Sequence, residues 1–173
     1  APSPGREKGR IRPPSPSPSS SYFGAITYVS AGTTGRISRE AFAAVGVELT
    51  DERVVVGPAS VEGGMAAIDR AWEDGLRPTA VLAMSDAMAI GAMRALRDLR
   101  LAIPGDVSVV GFDDIDLAPH VDPPLTTVHQ PIRRKGEEAV RLLLTVVQRR
   151  DQARPEHLRL ETRLIVRGST GTV

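Results

Sequence analysis

From Tyr22 onward the chain alternates between two kinds of segment, and this alternation constrains its fold more than any other feature. Short runs of strand character are each followed by a stretch with apolar residues at helical spacing. The run YFGAITYVSA reads as a buried strand, Gly32-Thr33-Thr34-Gly35 as a loop, and a short helix passes through Ala41–Val45 to a stop at Gly46. Arg53–Gly57 is a second strand, because three consecutive β-branched residues favour an extended backbone. Met65, Ile68 and Trp72 then recur at helical spacing until Gly75 ends that element. Thr79–Met84 is a third strand, and Asp86 to about Leu99 is a helix with Ala89, Met93 and Leu96 on one side. The Pro104-Gly105 turn leads into a fourth strand, Val107–Phe112.

A proline-rich loop follows, then a short extended piece, Leu125–Val128. The next segment is a long amphipathic helix with Ile132, Ala139, Val140, Leu143, Leu144 and Val147 expected to face inward. Finally Leu158, Leu160, Thr162, Leu164 and Val166 alternate with Arg159, Glu161 and Arg163, the period of a strand with one wet face. Strand–helix alternation of this kind predicts an α/β domain, a parallel sheet with helices on both faces. In such sheets ligands sit outside the carboxyl ends of the strands, where helix N-termini and loop side chains converge. Ser85-Asp86 and Asp113-Asp114 each follow a strand directly, so both acidic positions are expected on one small-molecule-binding rim.

The individual residues admit more than one role. Asp86 opens a helix, and an Asp there caps unpaired N–H groups, a contribution of about 1 kcal/mol. It also lies where a ligand would bind, with Ser85 one residue nearer the rim and better placed for direct contact. Asp113 and Asp114 repel each other unless something uses them. Sugar hydroxyls would suit the first, while the second can cap the next turn or bond the loop backbone. A Mg²⁺ ion is the alternative occupant, but such ions usually also meet phosphates, and neither a G-x-G-x-x-G nor a G-x-x-x-x-G-K-[ST] loop occurs. There is no G-x-S-x-G elbow, and His129 sits in a context equally suited to a surface histidine. An enzyme is therefore not expected, nor a metal or other cofactor.

Composition removes further classes. The chain has no Cys, which excludes disulfides, thiolate zinc sites and cysteine nucleophiles, and fits a reducing cytoplasm. Aromatics are 3% of residues, too few for base-stacking platforms. Residues 1–21 are Pro/Ser-rich and carry Arg6, Lys8, Arg10 and Arg12 against Glu7. They are expected to form a disordered tail, either inert or a basic arm touching DNA or a partner. Without them the charge is slightly negative, so residues 22–173 are no electrostatic DNA clamp. No apolar run approaches membrane-spanning length and the N-terminus lacks a signal-peptide core, so a cytoplasmic, membrane-independent protein is expected.

The run from Pro78 to Gly168 resembles the C-terminal part of the sugar-sensing core of LacI/GalR-type transcription regulators. Four phrases carry the likeness in order: PTAVLAMSDAMAIGAMRAL, IPGDVSVVGFDD, PPLTTVHQPIRRKGEEAVRLLL and ETRLIVRGST. Phe23 to Gly75 matches more loosely, as strand, helix, strand and helix. The resemblance implies a Rossmann-like lobe of a periplasmic-binding-protein-like fold that dimerises and closes over an effector. It puts Ser85 at a pocket position where the family often has Asn, makes Asp113 the carboxylate gripping sugar hydroxyls, and places Gln130 near the crossover between lobes. An Arg on the helix after the first strand usually grips the ligand, and Arg36 and Arg39 are both candidates. Ala59 stands where many members carry a stacking aromatic. Residues 130–157 would belong to the crossover and the N-terminal lobe. The helix-turn-helix headpiece and the first half of that lobe have the Pro/Ser tail in their place here, so DNA binding is expected only through a headpiece this chain lacks.

The expected function is thus a ligand-sensing and dimerisation module, a homodimer that takes a sugar or nucleoside effector. Two alternatives differ in class: a solute-binding protein with an export leader, and an enzyme or phospho-acceptor using Asp113 and Asp114.

Overall fold

The structure is a computed structural model that describes residues 26–30, 35–44, 46–148 and 157–172. The tail expected over 1–21, the outer residues of the first expected strand and the loop residues 32–34 lie outside these. The elements in chain order are β1 (Ile26–Ser30), α1 (Gly35–Ala44), β2 (Val54–Val56), α2 (Val61–Glu73), β3 (Ala80–Ala83), α3 (Asp86–Asp98), β4 (Ser108–Asp113), β5 (Thr126–His129), α4 (Ile132–Gln148) and β6 (Arg163–Ile165). They form one sheet of order β2-β1-β3-β4-β5-β6. All neighbours are parallel except β5 and β6, which pair antiparallel through Thr127 with Ile165 and His129 with Arg163. The expected α/β architecture is therefore present, with an antiparallel edge added to the parallel sheet.

Local chemistry explains the helix boundaries. Ser60 caps α2 by accepting from Gly63 N at 3.0 Å, and Ser85 caps α3 by accepting from Met88 N at 3.3 Å. Gly46 and Gly75 stop their helices at positive φ, 77° and 86°. Helix α3 is the centre of the core. Met88, Ala89, Ala92, Met93, Ala95 and Leu96 are all buried on it, between α2 and the sheet residues Val81 and Val109. Gly64 of α2 and Gly91 of α3 permit a very close crossing of the two helices. A Cβ built on Gly64 would lie 2.1 Å from Met88 O, and one on Gly91 would lie 1.9 Å from Val61 O. The face of α2 that is buried, Gly64, Ala67, Ile68 and Ala71, is rotated toward this crossing, leaving Met65 and Trp72 at its margins.

Two expectations need correction. The last strand was expected over residues 158–166, yet only Arg163–Ile165 pairs. Its one neighbour, β5, has four residues and gives way to Pro131 and α4, so the ladder runs out of partners. The segment after β6 instead closes the amino edge of the sheet. Ser169, fully buried, donates from Oγ to Val109 O at 2.6 Å and accepts from Thr126 N at 2.8 Å. The second correction concerns α4. No residue of it is buried, and Ile132, Val140, Leu143, Leu144 and Val147, expected inward, are 51–61% exposed. Helical periodicity identifies an apolar face but not what covers it. No helix among the described residues is long and apolar enough to cross a membrane.

Candidate functional site

The strand order brings the carboxyl ends of β3, β4 and β5 side by side, and the residues that follow them form one rim. Ser85, Asp86, Asp113, Asp114, His129 and Gln130 all stand there. Asp113 and Asp114 both have positive φ, 122° and 58°, conformations that L side chains seldom adopt. Two successive strained residues turn the carboxylates toward different partners, which answers the repulsion between neighbours in sequence.

Asp113 is partly buried at the end of β4. Its Oδ1 accepts from Gln130 Nε2 at 2.7 Å, and Gln130 Oε1 in turn receives Lys135 Nζ at 3.4 Å. Burial raises the Asp113 pKa above the ordinary carboxylate value; the Gln130 hydrogen bond and Lys135 oppose this, and the nearby Asp86 reinforces it. Its second oxygen has no protein partner among the described residues. Asp113 and Gln130 are thus brought together, with one carboxylate oxygen open.

Asp114 is satisfied entirely by side chains. Arg167 Nη2 donates to Oδ1 at 2.6 Å and His129 Nδ1 lies 2.9 Å from Oδ2. Burial acts upward on its pKa, but these two hydrogen bonds and the accompanying charges outweigh it, so the net shift is downward. Arg167 also donates from Nη1 to Leu125 O, and its backbone N–H to Thr126 Oγ1, both at 2.8 Å. Asp114 therefore clamps the β4 loop to β5 and the β6 extension; the expected cap or backbone bond is not made.

Asp86 departs furthest from expectation. The cap of α3 is Ser85; Asp86 is wholly buried. Its Oδ1 accepts from Thr127 Oγ1 at 2.5 Å and its Oδ2 from Ile115 N at 2.9 Å. Gly111 makes room for it, since a Cβ there would lie 2.2 Å from Oδ1. Asp86 is a tie between α3, β5 and the β4 loop, and its burial removes it from the set of direct ligand contacts. Ser85 stays on the rim, half-buried, with its hydroxyl proton still free to donate.

The two arginine candidates separate. Arg36 lies in the first turn of α1, and its side chain is outside the described residues. Arg39 is drawn away from the rim: its guanidinium binds Leu49 O and, at 2.5 Å, the Asp51 carboxylate, in the segment leading into the amino end of β2. Thr127 and Arg167 were not singled out in the sequence, although two adjacent threonines inside a buried strand are a signal that their hydroxyls have work to do. A cavity of about 400 Å³ borders the Asp114–Arg167 pair and is lined also by Ile115, Asp116, Pro119 and His120. Neither Asp113 nor Ser85 lines it. The Asp113–Gln130–Ser85 rim is instead an open shelf, one wall of a cleft. With Asp86 buried and Asp114 held by Arg167 and His129, Asp113 is the one of these three aspartates that keeps an open oxygen. Among the described residues no group of three or more His, Asp or Glu is arranged to hold a metal.

A doubly wound parallel sheet with an open carboxylate and amide at its carboxyl edge defines a small-molecule-binding lobe. The family described as periplasmic binding protein-like domain matches residues 27–170. The HTH-type transcriptional repressor PurR of Vibrio vulnificus is 44% identical over 100 residues, covering 57% of this chain and 29% of its own length. The ribose operon repressor of Escherichia coli is 37% identical over 131 residues, 76% of this chain and 39% of the repressor. Among solved structures, the transcriptional regulator CelR in complex with cellobiose superposes with a TM-score of 0.78 at 34% identity, over 85% of this chain and 47% of that one. The chain belongs to this periplasmic-binding-protein-like family, and the relatives and the solved structure it is similar to are transcription regulators. It spans 29% and 39% of the lengths of the two curated relatives.

Proposed function

We propose that the chain is the effector-sensing and dimerisation module of a LacI-type transcriptional regulator, binding a small polyhydroxylated effector, a sugar, at the carboxyl ends of its strands. The observation that carries this reading is Asp113: a strained, partly buried carboxylate with one oxygen fixed by Gln130 and the other open on the rim. A sugar hydroxyl donating to that oxygen forms a charge-assisted hydrogen bond, worth about 1.5–3 kcal/mol. Gln130 and the Ser85 hydroxyl supply further donors. The cellobiose complex of CelR supports the ligand class.

No chemical step is assigned to the rim. Effector binding acts by favouring one of two lobe arrangements, and a coupling of about 1–3 kcal/mol alters operator affinity in the whole regulator. DNA would be contacted by a headpiece outside residues 22–173, and the working compartment would be the cytoplasm. Dimerisation belongs to the same proposal, with the exposed apolar face of α4 in need of cover. The test is a calorimetric and thermal-shift screen of the chain against mono- and disaccharides and nucleosides. One of them raises the melting temperature, and Asp113→Ala abolishes the shift. No response to any of them, or an undiminished response in Asp113→Ala, overturns the proposal.

A further inference from the structure

A second polar cavity lies beside β5, at the start of α4, and it is of opposite character to the acidic rim. It encloses about 530 Å³ between the first turn of α4 and the segment entering β6. Arg134, Arg159 and Arg163 converge on it from these two pieces of chain, with His129, Thr162 and Glu161. Pairing of His129 with Arg163 across β5 and β6 fixes the strand side of the cavity. None of the three arginines has an acidic partner among the described residues. Their neighbours do: Arg133 meets Glu137 at 3.6 Å and Arg141 meets Glu138 at 2.7 Å, while Lys135 reaches Gln130. His129 already gives Nδ1 to Asp114 and so presents Nε2 as its free ring nitrogen. Three guanidinium groups against one glutamate leave the cavity with a net positive charge of about two, and guanidinium stays protonated at any working pH.

We propose that this cavity is a binding site for a small phosphate-bearing ligand. A phosphate monoester carries close to two negative charges at neutral pH, which matches the uncompensated cations. Its oxygens accept the forked, parallel N–H bonds that arginine offers better than lysine. Thr162 adds a hydroxyl donor, and Glu161 favours an uncharged, hydroxyl-bearing remainder over a second anionic group. The volume exceeds that of inorganic phosphate and leaves space for such a remainder. The site does not depend on the effector reading, since Asp113 takes no part in it.

The test is isothermal titration of the full chain in low-salt buffer with inorganic phosphate, glucose 6-phosphate and glucose, with potassium chloride at matched ionic strength as the control. Expected are saturable one-to-one heats for phosphate and glucose 6-phosphate, with none for glucose at this site or for chloride. The double variant Arg134→Gln/Arg159→Gln, with both positions exposed and the fold verified by circular dichroism, weakens binding by about tenfold or more. Asp113→Ala leaves it unchanged. Absence of saturable binding by the wild-type chain, or undiminished binding by the double variant, overturns the proposal. So does loss in Asp113→Ala alone, which would place the phosphate on the acidic rim. Binding of a DNA duplex that is lost in the double variant, without any phosphate binding, would instead assign the arginines to a polynucleotide backbone and equally overturn it.

Discussion

Replacing Asp86 distinguishes a buried tie from a ligand carboxylate. In Asp86→Ala, Ile115 N and Thr127 Oγ1 lose their acceptor in a site with no solvent exposure. Each hydrogen bond to a charged group contributes about 1.5–3 kcal/mol, so the loss is about 3–6 kcal/mol. That is a large part of the roughly 5–15 kcal/mol that holds a domain together. Asp86→Asn keeps an oxygen for Ile115 N, and the Thr127 hydroxyl can reverse to accept from the new amide. Only charge assistance is lost there, about half the bond strength, so about 1.5–3 kcal/mol is expected. Urea titration followed through the single tryptophan, Trp72, measures both values, with the slope against urea unchanged. Thr127→Val combined with Asp86→Ala should cost less than the sum of the two separately, because they share one bond. The ligand affinity of folded Asp86→Asn should equal that of the wild type. An Asp86→Asn protein as stable as the wild type to within about 0.5 kcal/mol, yet deaf to the effector, would refute the reasoning.

Four further outcomes follow from the geometry. Gly91→Ala forces a methyl group into Val61 O on the facing helix and should cost about 3 kcal/mol or more, whereas Gly136→Ala, with open space around its Cβ, should be neutral or stabilising; melting temperatures separate the two. The depressed pKa of Asp114 means that its contribution is present above the unfolded value near 3.9 and disappears as pH falls through the lower folded value, so Asp114→Asn should flatten the acid limb of stability below about pH 4. The raised pKa of Asp113 has the reverse sign: its stabilising share exists below the unfolded value and is lost as pH rises through the folded one. Asp113→Asn should therefore match or exceed wild-type stability at pH 7, by no more than about 0.5 kcal/mol given its exposure to water, while losing the effector response. Leu143→Glu, at a position 61% exposed, should leave monomer stability within about 0.5 kcal/mol and abolish any self-association seen in sedimentation.

Much of this architecture is legible in the sequence. Consecutive valines, apolar residues at helical spacing and glycine stops are local signals, and they located the five parallel strands and four helices found among the described residues, although α1 begins at Gly35, inside the expected loop and well before the expected Ala41–Val45 stretch. The rim was legible too, because a residue that directly follows a parallel strand must stand at the carboxyl edge, wherever the strand lies in the sheet. What could not be read was the partner of each polar atom. Asp86 as the first residue of a helix reads as a cap; only the approach of Thr127, forty-one residues later, and the vacancy at Gly111 make it a buried tie. Asp114 and Arg167 are fifty-three residues apart and meet because the last segment folds back along β5. The direction of Arg39 was decided by Asp51, and the exposure of α4 by the absence of an apolar face opposite it among the described residues. Periodicity and composition act along the chain and so determine the elements and their order. Hydrogen-bond partnership, burial and the resulting pKa shifts depend on distances across it, and the tertiary structure alone divided the acidic rim into one open carboxylate, one ion-paired clamp and one buried tie.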